Sequence, residues 1–160
     1  MKRLISIGLI TALSIATVYA AEPAAPPTPE AQAKTSIETR QGLFKLLSFN
    51  MAPIGGMLRN TVPFDAEVVA KNAARIQQLA GMIPDLFIAD TRKTGAGVKT
   101  AALDGIWTSQ ADFKAKADAM GQAAGELLAA AKTGDKAATM KAAQGMKACG
   151  NCHDTFRLKQ

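Results

Sequence analysis

Both cysteines and the only histidine of this 160-residue chain lie within five consecutive residues near its C-terminus, Cys149-Gly150-Asn151-Cys152-His153. Cys-x-x-Cys-His is the attachment pattern of c-type haem, in which two thiols form thioethers with the haem vinyl groups and the imidazole ligates the iron. The motif predicts one covalently bound haem c, with Cys149 and Cys152 as the thioether residues and His153 as an axial ligand of the iron.

The N-terminus predicts export to the periplasm. Lys2 and Arg3 precede an apolar run from Leu4 to Ile15, and the segment closes on Val18-Tyr19-Ala20, with the small residues Val18 and Ala20 at the cleavage site. This pattern is typical of a secretory signal peptide over residues 1–20, cut after Ala20. The alternative is an uncleaved membrane anchor, but the apolar run is shorter than the ~20 residues that cross a bilayer. We therefore expect no membrane anchor.

The chain after the predicted cleavage site suits one domain. Residues 21–34 contain four prolines among alanines, which favours an extended leader, and residues 35–160 would form the domain. The net charge without the signal is +4. We interpret it as a solvated surface, with attraction to acidic partners as the alternative. The chain has no Gly-rich phosphate loop and no basic run interleaved with aromatics, so we expect no nucleic-acid binding.

Composition favours helix nearly throughout, because alanine is abundant, aromatics make up 5% of the chain, and β-branched runs are absent beyond the signal. Caps and breakers divide the chain into four amphipathic segments and one long loop at 89–105. They predict an all-α, antiparallel four-helix bundle with covalently attached haem. The predicted helices are 35–59, a second from the cap Asp65 to Pro84, a third from Ser109 to Thr133-Gly134, and a fourth from the cap Asp135 nearly to the last residue.

A helical motif would turn Cys149, Cys152 and His153 to one face, because residues three and four apart are neighbours on a helix. The second axial position of the iron remains open. A second histidine is excluded, and methionine is the remaining strong ligand, although a methionine in such a bundle is more often a core filler. The candidates are Met51, Met57, Met82, Met120, Met140 and Met146.

Several motifs resemble those of the cytochrome c′ family of four-helix-bundle haem proteins. They are the C-terminal run Cys149–Arg157, the early pair Arg40-Gln41, and Gly105-Ile106-Trp107 followed by Phe113-Lys114. The resemblance covers the chain from about Thr35, and its most specific part is the C-terminal motif combined with Arg40-Gln41. We interpret Trp107 and Phe113 as core residues.

The resemblance implies roles for three further residues. Phe44 would lie in the distal pocket, where an apolar residue leaves the iron five-coordinate; it would also serve as core packing. Arg40 would contact a haem propionate, which suits a bidentate donor of fixed charge. Arg157 would lie in the proximal pocket beside His153, and its alternative role is a surface cation at a helix C-terminus.

These features support one leading hypothesis and two alternatives. The first is a periplasmic five-coordinate haem protein that binds nitric oxide or carbon monoxide, with a one-electron iron couple; the family resemblance implies that nitric oxide displaces the proximal histidine. The second is a six-coordinate electron carrier with a methionine such as Met51 as distal ligand. The third treats Cys149 and Cys152 as a thiol–disulfide pair.

Two further expectations concern assembly and catalysis. The family resemblance implies a homodimer through the first two helices, while the redox partners remain unidentified. Because the single histidine is committed to iron, no obvious general base remains for hydrolytic catalysis, and we expect no enzyme activity.

Overall fold

The computed structural model describes residues 25–94 and 97–159. The predicted signal peptide and cleavage site lie outside these residues. Within the described part of the chain, no helix is long and apolar enough to cross a membrane. The helices are α1 (Pro29–Leu58), α2 (Ala66–Leu86), α3 (Gly105–Thr108), α4 (Gln110–Lys132), α5 (Lys136–Ala143) and α6 (Ala148–Phe156), with a 3₁₀ segment, Gln144–Lys147, joining α5 to α6.

The first helix starts earlier than predicted. It begins at Pro29 instead of residue 35, because Thr28 caps it through a hydrogen bond from the Ala31 amide to Thr28 Oγ1 at 3.3 Å. Proline is favoured in the first helical position, where its missing N–H would have no partner. Residues 29–34, predicted as an extended leader, therefore belong to α1.

The C-terminus of α1 is close to the predicted end at 59. Asn60 adopts a left-handed conformation with φ 54°. The Thr61 amide then donates to Gly56 O at 2.9 Å and the Asn60 amide to Met57 O at 3.1 Å. This is a Schellman arrangement in which asparagine takes the place usually held by glycine.

The predicted caps of the second and fourth helices are confirmed. The Val68 amide donates to Asp65 Oδ1 at 3.0 Å. Asp135 Oδ1 accepts from the amides of Ala137 and Ala138. Pro84 does not stop α2, which continues to Leu86, because a proline in the last turn removes only one backbone hydrogen bond.

The predicted fourth helix is not continuous. It divides into α5, the 3₁₀ segment and α6. Gly145 lies in the 3₁₀ segment, and a Cβ there would be 3.5 Å from Ala123 Cβ of α4, so the segment runs close to that helix. Low helix propensity and this close approach are consistent with the tighter winding.

The four long segments form the predicted antiparallel bundle. α2 packs most extensively on α4, α1 packs on α2, and α5 and α6 pack on α4. The core is built from aliphatic, alanine and methionine side chains, with Phe87, Phe113 and Phe156 at one end. The buried positions of α2 are Val69, Asn72, Ala73, Ile76, Ala80 and Ile83, and those of α4 are Phe113, Ala117, Met120, Ala123, Ala124, Leu127 and Ala131.

Truncation of Leu127 tests this core. Its side chain is fully buried on α4, so we expect Leu127→Ala to lower the free energy of unfolding by about 2–5 kcal/mol through lost burial and the cavity left behind. Gly81→Ala is the control, because a Cβ at this exposed α2 position meets no atom within 4 Å. That variant should be neutral or slightly more stable in urea unfolding of the haem-loaded protein. Equal destabilisation by both variants would contradict this core.

Candidate functional site

α6 carries the three residues of the predicted haem attachment motif. Cys149, Cys152 and His153 are all half-buried, and their spacing puts them on one face of the helix. Both cysteines pack against the hydrophobic core. α6 lies against α4 and α3, whereas α1 packs on α2 and approaches α5. The motif therefore occupies the inner side of the last helix, within the bundle.

The environment of the two thiols differs from that of a thiol–disulfide catalyst. The break in the fourth helix places Cys149 in the first turn of α6, whereas the predicted continuous fourth helix would have placed the pair near its C-terminus. Burial raises the pKa of both thiols, and at Cys152 the charge of Lys116 opposes this shift. A redox pair needs a lowered thiol pKa, because the thiolate is the reactive form. This environment favours the haem interpretation of the pair.

His153 is held in the form that binds a metal. Burial lowers the pKa of its imidazole, the charge of Arg157 lowers it further, and Asp154 opposes both effects. A neutral imidazole keeps a lone pair for coordination. Arg157 follows the last residue of α6, with its amide donating to His153 O at 3.1 Å and its side chain exposed. Its charge acts on the imidazole even though the side chain reaches solvent.

Arg40 joins α1 to the end of α2 and the loop that follows. Its Nε donates to Leu86 O at 2.7 Å, Nη2 to Ala89 O at 2.7 Å, and Nη1 to Thr91 Oγ1 at 2.8 Å. The guanidinium carbon lies 4.5 Å from the centre of the Phe87 ring. Only 4% of the residue is exposed. Burial lowers the pKa of the guanidinium, and the charge of Asp90 opposes that shift.

These three bonds leave part of the guanidinium uncommitted. Arginine has five N–H donors, so one on each terminal nitrogen of Arg40 remains. The predicted contact with a haem propionate is compatible with these bonds. The pairing with backbone oxygens of residues 86 and 89 was not foreseen from the sequence.

Phe44 lies one turn after Arg40 on α1 and starts a chain of aromatic contacts. Its ring centre is 6.3 Å from that of Phe87, which is 4.9 Å from that of Phe113. Phe113 is in turn 5.3 Å from Phe156 of α6, in a T-shaped pair. Phe156 is three residues beyond His153. These contacts form a continuous aromatic path from Phe44 on α1 to α6, the helix that carries the attachment motif.

Phe44 is not fully packed. Of its surface, 39% is exposed, although its neighbours Leu43 and Leu47 are buried. Phe44 was predicted to pack in the core, and within this single chain its side chain is only partly buried.

Phe87 is the centre of this cluster and was not foreseen from the sequence. It contacts Phe44, Trp107 and Phe113, and Trp107 Nε1 donates to Ala89 O at 3.2 Å. One feature of the sequence could have indicated Phe87, namely the scarcity of aromatic residues. The chain has only eight, and five of them belong to this cluster.

The donor set fits a c-type haem. Two half-buried free thiols and one half-buried imidazole share one face of α6, and Phe156 of the same helix packs against Phe113 of α4. Thioether formation and iron ligation use these groups, while an apolar lining suits the porphyrin.

Replacement of Arg40 tests its anchoring role. We expect Arg40→Leu to lower the free energy of unfolding by about 2–4 kcal/mol, because three partly buried hydrogen bonds of a buried guanidinium are lost. Arg40→Lys should recover only part of this loss, since lysine cannot reach three acceptors with one planar group. Arg75→Leu, at an exposed position of α2, is the control and should change stability little. Urea unfolding measures all three, and an Arg40→Leu variant as stable as the control would contradict the role.

Comparisons with known proteins agree with the site. The family model described as Cytochrome C' matches residues 35–157. Cytochrome c′ of Rubrivivax gelatinosus is 39% identical over 126 residues, which cover 78% of this chain and 95% of that protein.

Two solved structures share the fold. Cytochrome c′ of Shewanella frigidimarina superposes with a TM-score of 0.72 at 34% identity, covering 79% of this chain and 97% of that one. A nitric oxide complex of a variant cytochrome c′ from Alcaligenes xylosoxidans has a TM-score of 0.67 at 23% identity, covering 79% and 97%. The chain thus belongs to the cytochrome c′ family, four-helix-bundle proteins that carry covalently attached haem c.

Proposed function

We propose that this protein is a periplasmic haem protein with five-coordinate iron that binds small diatomic gases, nitric oxide and carbon monoxide, and transfers single electrons. Cys149 and Cys152 hold the haem through thioethers, and His153 is the one axial ligand from the protein. When bound, the haem supplies a ferrous–ferric couple and one coordination position for a diatomic molecule. The chain is exported through the signal peptide cut after Ala20. We assign it no enzyme activity, because its single histidine is committed to iron.

The position of Phe44 is the observation that carries this proposal. A continuous path of ring contacts through Phe87 and Phe113 joins Phe44 to Phe156 of α6, the helix of the attachment motif, which supports a position for Phe44 near the haem. A phenyl ring has no lone pair, so it cannot ligate iron, but it can crowd the face opposite His153. A bound gas must then be small.

The surroundings of Phe44 also favour certain gases. Phe87, which contacts Phe44, is apolar. The hydrogen-bonded N–H groups of Arg40 are directed to the C-terminal end of α2 and to the loop after it. A pocket without a hydrogen-bond donor does not stabilise bound dioxygen, whereas nitric oxide and carbon monoxide do not depend on such a bond. The shared fold of the Alcaligenes xylosoxidans nitric oxide complex is consistent with this choice.

Methionine ligation is the competing hypothesis, and the structure favours it less. Met51 is half-buried against the core but lies seven residues beyond Phe44, about 10 Å further along α1. Met57, Met120 and Met146 are buried core residues, and Met82 is exposed.

Two arginines complete the proposed site. The remaining N–H groups of Arg40 would hold a haem propionate, with the other three fixing their direction. Arg157 would act in the proximal pocket through its charge beside His153.

Substitution of Phe44 tests the gas-binding proposal. Because the ring crowds the distal face, we expect Phe44→Ala to speed carbon monoxide association with the ferrous protein by about tenfold or more, equivalent to roughly 1.4 kcal/mol off the barrier. Phe44→Met should supply a thioether ligand and give a low-spin protein that binds carbon monoxide slowly. Flash photolysis and absorption spectra measure these effects.

Phe49→Ala is the matched control, because this phenylalanine lies on the same helix but is 69% exposed. It should leave the association rate unchanged. Equal rates in Phe44→Ala and the unmodified protein would place Phe44 outside the distal pocket, and a low-spin unmodified protein indifferent to carbon monoxide would support methionine ligation.

We also propose a homodimer through the first two helices. α1 exposes Leu46 and Phe49, three residues apart on one face, and α2 exposes Met82. Burial of such side chains against a second copy would stabilise the pair.

A charge on this face tests the dimer. We expect Phe49→Glu to convert a dimer into a monomer in analytical ultracentrifugation, because a second copy would have to bury the carboxylate. Ile88→Glu, at an exposed position in the loop after α2, is the control and should remain dimeric. A monomeric unmodified protein would contradict the proposal.

A further inference from the structure

The positive charge of this protein is concentrated in the segment that carries the haem motif. Residues 21–131 contain eleven lysines and arginines and eleven aspartates and glutamates, so they are neutral overall. Residues 132–159 contain six basic residues and two acidic ones. The net charge of +4 after the signal therefore arises entirely from the last 29 residues.

These six basic side chains form what we call the C-terminal basic face. All are exposed, and the ion pairs within the described residues involve other cations, namely Lys34, Arg92, Lys114 and Lys116. Their charges are thus available to an incoming molecule. The C-terminal basic face consists of Lys132, Lys136, Lys141, Lys147, Arg157 and Lys159.

The C-terminal end of this face, after α6, is fixed in place. The Leu103 amide donates to Phe156 O at 3.0 Å, and the Leu158 amide donates to Ala101 O at 2.8 Å. Chain termini commonly fray, and these bonds hold the residues after α6 against the loop before α3. Leu158, between two cations, is 55% exposed. An apolar residue surrounded by charges is a common arrangement at protein interfaces.

We propose that the C-terminal basic face docks an acidic one-electron carrier protein beside the thioether edge of the haem. This inference rests on the proposed electron-transfer function. One electron passes from the reduced partner to ferric haem iron, which becomes ferrous as the partner is oxidised, and the reverse transfer returns it; no bond forms or breaks. Lys147 is two residues before Cys149, so a partner attracted by this charge arrives next to the attachment site.

An anionic membrane surface is the other class of molecule that a basic face attracts. Lipid-binding segments usually contain four to eight cations in a compact cluster. Here six cations are distributed along α5, α6 and their flanks, with one exposed leucine at the end. This distribution favours a protein partner.

Oxidation of the ferrous haem protein by two small reagents tests the proposal. Ferricyanide is an anion and tris(phenanthroline)cobalt(III) is a cation. The sign of the electrostatic field at the haem edge therefore determines for which reagent added salt lowers the rate of oxidation. We expect salt to slow ferricyanide and to speed the cobalt complex, since charges are screened beyond about 10 Å at 0.1 M ionic strength.

Paired neutral substitutions separate local charge from net charge. Lys147→Gln with Lys159→Gln removes two charges from the basic face, and Lys71→Gln with Arg75→Gln removes two from exposed positions of α2. We expect the first pair of substitutions to lower the rate of oxidation by ferricyanide about three- to tenfold at low ionic strength. The second pair should have little effect on that rate. The difference should vanish at high salt.

Binding measurements provide a readout independent of electron transfer. The unmodified protein should bind poly-L-glutamate, and the basic-face variant should bind it more weakly than the α2 variant. Equal slowing by both pairs, or salt-independent rates, would overturn the proposal. A membrane-binding role would also overturn it. In that case co-sedimentation with phosphatidylglycerol vesicles would depend on Lys147 and Lys159, while the rate of oxidation by ferricyanide would not. Spin state, measured on the same samples, tests the five-coordinate proposal separately.

Discussion

The buried guanidinium of Arg40 is the interaction on which the geometry of the site depends. It ties α1 to the carboxyl end of α2 and to the loop after it through three hydrogen bonds, and it stacks on Phe87. The Gln41 side chain adds a further bond from α1 to this loop, donating to Lys99 O at 2.8 Å. Such directional bonds fix the relative position of the two segments more closely than apolar contacts do. With this end of α1 held, Phe44 one turn later has a fixed position relative to α6.

The aromatic cluster then carries this position across the bundle. Phe87 and Phe113 form a continuous path from Phe44 to Phe156, so α1 and the helix that carries the attachment motif are joined by one group of packed rings. Alanine and aliphatic residues fill much of the rest of the core. We infer that large rings are concentrated where a flat porphyrin must be held, and that one face of its iron is left without a protein ligand.

Much of this architecture follows from local sequence. Asp65 and Asp135 cap helices where their short carboxylates predict caps, and the spacing of Cys149, Cys152 and His153 places them on one helix face. Other features depend on distant or backbone partners. The bonds of Arg40 end on carbonyl oxygens 46 and 49 residues away, which no side-chain pattern encodes. The start of α1 was predicted too late, because the four prolines of residues 21–34 suggest an extended leader. One of them, Pro29, is in fact the first residue of the helix, a position that proline favours.

The spin state of the ferric, unmodified protein tests the central claim most directly, namely that His153 is the only protein ligand of the iron. Electron paramagnetic resonance and absorption spectroscopy of the purified holoprotein distinguish the two coordination states. The site geometry predicts a high-spin or mixed-spin ferric haem, with ready carbon monoxide binding after reduction. A low-spin ferric haem that stays six-coordinate on reduction and ignores carbon monoxide would contradict the claim.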